Sequence, residues 1–453
     1  MNYIGIDIGS SFIKAAILDT ENRAIRDVTR LPTPERLPAP NSSIYEVDVV
    51  SIMRSVTAMI DQCADKRGPI AGILLSTQMH GFVLCDAAGE PLTNYISWQD
   101  TRGSVPYGKE AASSFERISS VVSSEQIEKS GTKLKPGLAA CNLHHWMAHH
   151  GRVAEQNNVR FCTLGSFIIF KLTGRHACHI TNAAPTGFAD VERRAWNLET
   201  IRAVGCESLV FPDIVDEQDI CGYYDSPYGR IPVYPDIGDH QASVLGALGG
   251  NSHTAIVSGG TAGIVSLVSP EAAQGDHENR PYFGGRTLKT ITRLPGGRNL
   301  DVLVDFIADI GMSVYGASRS RDELWQAIFR SVEAGSPTRS PNGALQVELG
   351  FFTGQQGVQH GRIDGIRQSN LTAGSLFAAA FENMADVYIS ALRKLENPSA
   401  PVARIILTGG TIHNNRFIRT IIQERTGIET LPSPVQNEEL RGLLHLAMRL
   451  AGA

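Results

Sequence analysis

Near the start of the chain, apolar residues alternate with a period of two, stop at a small polar turn, and resume. Tyr3 to Ile8 and Phe12 to Leu18 read as two strands joined by the tight turn Gly9-Ser10-Ser11. Asp7 falls inside the first strand, where aspartate is disfavoured, so the pattern marks it as a solvent-facing edge residue or as an acid held for chemistry. The period then changes. Val50 to Cys63 has helical spacing, Gly72 to Ser76 is strand-like, and Arg404 to Thr408 is a strand feeding a helix from Asn415. Strands alternating with helices along the whole length predict an α/β protein.

The opening device occurs twice. Thr254 to Ser258, the turn Gly259-Gly260-Thr261-Ala262 and Gly263 to Val268 again give strand, glycine-and-hydroxyl turn, strand. Such a turn lets backbone N–H groups converge with little side-chain obstruction, which suits phosphate oxygens. Between the two devices, the small residues of Gly246 to Ser252 predict a boundary, giving domains 1–247 and 248–453. A third glycine turn, Gly409-Gly410-Thr411-Ile412-His413-Asn414-Asn415, follows a strand, where open α/β sheets bind ligands. Asp239 follows the strand-like Ile231 to Tyr234 and opens a helix of small residues. A lone acid there reads as a helix cap; an acid beside phosphate turns reads as serving a cation or a hydroxyl.

A length of 453 residues exceeds what one hydrophobic core usually organises, so two domains are expected. The 42% hydrophobic and 19% charged residues are ordinary for a globular protein, and a net charge of -5 leaves no basic footprint for nucleic acid. No apolar run reaches the roughly 18 residues of a membrane span and no signal-like segment opens the chain, so the expected location is the cytoplasm, away from membranes. The seven cysteines lie in the first half without a CxxC pair and read as reduced, buried thiols. The runs His144 to His150 and His176 to His179 raise zinc, but only His145 and His149 have one-turn spacing, which favours a polar helix face and a loop. Gly103 to Lys109 fits the first positions of a Walker A loop, but Glu110 replaces the magnesium-binding hydroxyl, and a surface loop is expected.

Taken in order, Asp7, the two hydroxyl turns, Asp239 and Gly409-Gly410 resemble the motifs of the FGGY carbohydrate kinases, within the sugar kinase/Hsp70/actin superfamily. The resemblance covers nearly the whole chain. It implies an α/β fold of two domains of the actin-like ATPase, ribonuclease H-like type, with an interdomain cleft. It implies that Asp7 orients hydrated magnesium, that Gly9, Ser10, Ser11 and Lys14 serve one phosphate motif and Gly260 and Thr261 the other, and that Gly409, Gly410 and Asn414 meet the adenosine. Asp239 falls on the catalytic base. Gln78-Met79-His80-Gly81 and Trp98-Gln99-Asp100-Thr101-Arg102 are similar to sugar-binding segments of xylulokinases and sedoheptulokinases. The implied substrate residues are therefore Gln78, Met79, His80, Trp98, Asp100 and Arg102, with His240 beside the base.

The implied activity is ATP-dependent phosphorylation of a primary hydroxyl of a ketose, sedoheptulose before xylulose, with ATP and Mg2+ as cofactors, a small-molecule sugar as partner and a homodimer as a compatible assembly. Two rivals share the fold: a sugar-sensing nucleotide-binding protein with reduced catalysis, and an ATPase acting on protein partners. Two departures touch the choice of sugar, because loops set specificity on a shared scaffold. Leu143-His144-His145-Trp146 lacks the lysine of the family's Lys-Leu-x-Trp motif, and Gly354-Gln355-Gln356-Gly357 stands where a Gly-Glu-Arg segment is common.

Overall fold

A computed structural model describes the chain except residues 68, 110, 152–157, 250, 252, 336–344, 353–359, 435 and 453, and except the side chains of 66 and 67. Glu110, Gly250, Ser252 and Gly354 to Gly357, singled out above, therefore lie outside the described residues. The chain forms two compact units, one of Met1–Gly250, Glu278–Leu288 and Val435–Ala453, the other of Asn251–His277 and Lys289–Pro434. The units are thus not consecutive halves: the chain enters the first unit three times.

The first unit is built on a six-stranded sheet. Its strands are β1 (Asn2–Ile8), β2 (Phe12–Asp19), β3 (Ala24–Pro32), β4 (Ile70–Thr77), β5 (Gly222–Ser226) and β6 (Gly229–Gly238), in the order β5-β6-β4-β1-β2-β3. β1 pairs antiparallel with β2 and parallel with β4, and β4 pairs parallel with β6. Being central, β1 is buried from Tyr3 to Ile8, which explains why its apolar run is nearly continuous. On one face lie α1 (Val49–Arg67) and α2 (Leu164–Thr173), whose Ile52, Val56, Ile60, Phe167 and Ile168 share a core with Ile4, Ile6, Leu75 and Val233.

α3 (Asp239–Leu248) and α4 (Glu438–Leu450) also belong to this unit and cross closely. A Cβ on Gly246 would overlap the Glu438 carbonyl, and one on Gly442 would overlap the Ala242 carbonyl. Gly246 is therefore a packing residue inside a helix rather than part of a linker. The helix ends where Gly249 takes a left-handed φ of 56°.

The second unit repeats the plan. β7 (Thr254–Gly259) and β8 (Gly263–Ser269) form the second antiparallel hairpin, and β9 (Thr287–Leu294) lies beside β8. β10 (Arg404–Thr408) pairs parallel with β7, and β11 (Glu429–Pro432) pairs parallel with β10. The long helix Ala373–Leu395 packs Phe377, Phe381, Met384 and Leu392 into the core beneath this sheet. None of the seven cysteines forms a disulfide and all are buried, and no helix of the described residues is long and apolar enough to cross a membrane.

Candidate active site

Sheet register creates the first cluster. Asp7 stands opposite Lys14 on β2 and opposite Ser76 on β4. Its Oδ2 lies 3.2 Å from Lys14 Nζ, and Ser76 Oγ donates to its Oδ1 at 3.1 Å. Lys14 Nζ also donates to Glu439 Oε2 at 3.1 Å, a contact spanning 425 positions of sequence and set by the crossing of α3 and α4. One lysine thus serves two acids. Asp7 is 2% exposed, and burial, then Glu439, push its carboxyl up to about 7 against the pull of Lys14, with Asp239 adding to the rise.

Asp239 is the first residue of α3, directly after β6, and is half-buried. Its Oδ1 accepts from the His240 backbone N–H at 2.7 Å. Burial and the Glu439 charge push it up to about 7 as well. Two acids of this cluster therefore sit near the neutral range where a general base works best. Asp236, one turn earlier, is sealed at 0% exposure and accepts from His179 N–H at 3.0 Å, Asn182 Nδ2 at 2.8 Å and Thr163 Oγ1 at 3.2 Å. Burial nevertheless pushes it up to about 7. It ties β6 to the segment carrying Asn182.

Beside the acids lies a second group. His80 has a left-handed φ of 71°, an uncommon state for a residue with a Cβ. Its Nδ1 lies 2.8 Å from the Pro185 carbonyl. A carbonyl only accepts, so the ring proton is on Nδ1 and Nε2 is an acceptor. Burial, then Lys135 and Arg280, hold His80 well below its usual pKa, hence neutral. Arg280 Nη1 donates to His240 Nδ1 at 2.9 Å, which puts the His240 proton on Nε2, and burial takes that ring down to about 3. Arg280 is held in turn by Glu278, 2.7 Å away. Although burial opposes it, Arg280 and Lys135 keep Glu278 down to about 2.

The turn itself is anchored. Gly9 N–H donates to the Phe12 carbonyl at 3.0 Å, Thr33 Oγ1 and Gln78 Nε2 donate to the Gly9 carbonyl at 2.8 and 3.3 Å, and Ser10 and Ser11 remain exposed. Gln78 is thus an anchor of the hairpin. Met79 is 7% exposed and packs against Gly238, where a Cβ would meet its sulfur.

Asp100 and Arg102 form a buried pair, with Arg102 Nε at 2.9 Å from Asp100 Oδ1 and Nη2 at 2.7 Å from Oδ2. Glu46 adds a 2.6 Å contact to Arg102, and Tyr45 N–H donates to Asp100 at 2.7 Å. These charges compensate each other inside the protein and anchor the loop that leaves Trp98 45% exposed.

In the second unit the glycine turns adjoin. Gly297 N–H donates to the Gly260 carbonyl at 2.8 Å, and Thr411 Oγ1 donates to the same oxygen at 3.3 Å. Gly409, at φ 80°, must be glycine: a Cβ would stand 2.7 Å from the Gly259 backbone. A Cβ on Gly410 meets nothing within 4 Å, and Thr261 and Asn414 are exposed. The structure therefore brings Gly260 and Thr261 together with Gly409, Gly410 and Thr411, although about 150 residues separate them.

Among the described residues no group of three or more His, Cys, Asp or Glu side chains is placed to cage a metal ion. In the first histidine run, His145 and His149 stack on each other at 4.3 Å.

A strand-hairpin sheet flanked by helices, built once in each of two units, is the plan of the actin-like ATPase fold. A solved xylulose kinase from Rhodospirillum rubrum superposes over 100% of this chain and 90% of its own with a TM-score of 0.83 at 18% identity, so the fold is shared. The model of the FGGY family of carbohydrate kinases, N-terminal domain, matches residues 2–246, and the chain belongs to that family. A glycerol kinase of Thermococcus onnurineus is 26% identical over 251 residues, 54% of this chain and 49% of that protein. A xylulose kinase of Lactococcus lactis is 23% identical over 299 residues, 64% of this chain and 57% of that protein. The chain spans about half the length of the Thermococcus glycerol kinases it matches.

Proposed function

We propose that this chain transfers the γ-phosphoryl group of ATP to a primary hydroxyl of a ketose, with Asp239 as the general base. The observation that carries the reading is the acid cluster of the first unit: Asp7 and Glu439 paired to Lys14, with Asp239 beside them and both aspartates raised to about 7. A base of that strength accepts a hydroxyl proton as the oxygen attacks phosphorus, and the bridging oxygen leaves with ADP. Asp239 Oδ1 is oriented by the His240 N–H.

Lys14 pairs with Asp7 and Glu439, and Asp239 stands close enough to both acids to add to the local negative field. That suits Mg2+, which keeps most of its waters and takes one or two carboxylates together with phosphate oxygens. Asp7 is the residue proposed to hold it, and the ion would supply neutralisation of phosphate charge. Gly9, Ser10, Ser11 and Lys14 in the first unit, and Gly260, Thr261, Gly409, Gly410 and Asn414 in the second, are proposed for the nucleotide on their motif resemblance and, for the second unit, on the adjacency of its turns.

For the acceptor, His80 offers a fixed ring acceptor on a neutral imidazole, and His240, also neutral, is proposed on its motif position beside Asp239. Neutral hydrogen-bonding groups suit a polyol, and exposed Trp98 supplies an aromatic face. Sedoheptulose is the first choice and xylulose the second. The test is release of ADP from ATP and Mg2+ with sedoheptulose, xylulose, gluconate, glycerol or no acceptor. Turnover dependent on a ketose is expected. Preference for glycerol contradicts the acceptor assignment, and nucleotide and sugar binding without turnover supports the sensor reading instead.

A further inference from the structure

Two polar side-chain atoms near Asp239 are buried without any hydrogen-bond partner, Tyr95 Oη and Gln241 Oε1. Both residues are 0% exposed. Buried polar atoms are almost always paired, because leaving one unpaired forfeits its hydration for nothing. Tyr95 also feels the Asp239 charge, and Gln241 Oε1 lies over Gly238, the residue before Asp239, so the two orphans need an explanation.

Their positions supply it. Tyr95, on the short strand Tyr95–Ile96, lies across Gly81: a Cβ there would run into both its hydroxyl and its ring. Gln241 sits on α3 two residues past Asp239, with Nε2 donating to the Pro281 carbonyl at 3.2 Å. Its Oε1 and the Met79 sulfur meet over Gly238, at 2.7 and 2.6 Å from where a Cβ would stand. Both orphans thus back onto the turn Met79-His80-Gly81, whose His80 holds the left-handed conformation. Strain and unpaired polar atoms concentrated at one turn are features that persist when a ligand resolves them. One orphan is a donor and the other an acceptor, matching the two sides of a hydroxyl group.

We propose that Tyr95 and Gln241 are specificity-determining residues of the acceptor site: as the Met79-His80-Gly81 turn yields to the ligand, Tyr95 Oη donates to, and Gln241 Oε1 accepts from, hydroxyls of the polyol. The inference rests on the kinase reading above. A site built to bond a hydroxyl discriminates strongly against a substrate that lacks it.

The experiment compares wild type, Tyr95→Phe and Gln241→Met on the best sugar of the ADP-release panel and on its monodeoxy analogues. Tyr95→Phe is expected to lower kcat/KM on the parent sugar about 10- to 100-fold and to cost nothing further on one deoxy analogue, whose missing hydroxyl is the one Tyr95 serves. Gln241→Met should show the same pattern and carries the test if Tyr95→Phe fails to fold, as judged by thermal melting. A loss spread evenly over the panel, or no loss, makes these residues packing groups and overturns the assignment while the kinase reading stands. A wild type that turns over no sugar overturns both.

Discussion

Asp236 and Asp239 stand three residues apart at the end of one strand, and they differ in what can reach them. Asp236 is closed in by three donors, whereas Asp239 opens a helix and is half-exposed. Asp236→Asn would turn an NH2 group toward the Asn182 donor, at a cost of about 1–3 kcal/mol at pH 5, read by urea unfolding. The sign with pH follows from its raised pKa. An acid at about 7 in the fold and near 4 when unfolded contributes most when protonated, and that contribution is lost as pH rises through 7. From pH 5 to 8 the stability gap should therefore move in favour of the asparagine variant; a gap independent of pH would contradict the buried state of this acid. In the second unit, Gly410→Val adds a side chain where the protein itself has nothing within 4 Å. The variant should fold normally and raise the KM for ATP roughly 5- to 150-fold, the equivalent of about 1–3 kcal/mol of overpacking, with that for sugar unchanged; equal weakening of both contradicts the adenosine assignment. Asp7 was legible in the sequence because an acid inside an apolar strand violates a local rule. Glu439 was not, since acids in the first turn of a helix are ordinary, and only its contact with Lys14 gives it a role.

Elements carried the same lesson. Period-two runs around a hydroxyl turn gave both hairpins nearly to the residue, and Arg404 to Thr408 is the strand the pattern predicts. The crossing of α3 and α4 was not legible. In sequence Gly246 looks like part of a boundary, because glycines look alike whether they loosen a chain or let two helices touch. The contact places Glu439 at Lys14, so Gly442→Leu should lower stability of the first unit by at least about 1–3 kcal/mol, the usual cost of overpacking. It should also lower the ATP-dependent activity as α4 is displaced. Urea unfolding alongside turnover checks both, and a variant of unchanged stability would contradict the close packing.

At the scale of the whole molecule, the repeated hairpin made two units readable, while the return of Glu278–Leu288 and Val435–Ala453 to the first unit was hidden. No local pattern announces it. Those returning segments bring Glu278, Arg280 and Glu439 to the acids and histidines of the first unit, which is why a reading of motifs alone singled out Asp239 and missed its surroundings. The proposed chemistry turns on Asp239 as the base. The most direct test is ketose-dependent ADP release by wild type and Asp239→Asn, with ATP binding measured on both. The folded variant is expected still to bind ATP and to lose about 10²–10⁴-fold in turnover, the span of general base catalysis. A folded Asp239→Asn protein that phosphorylates the ketose at a near-normal rate would contradict it.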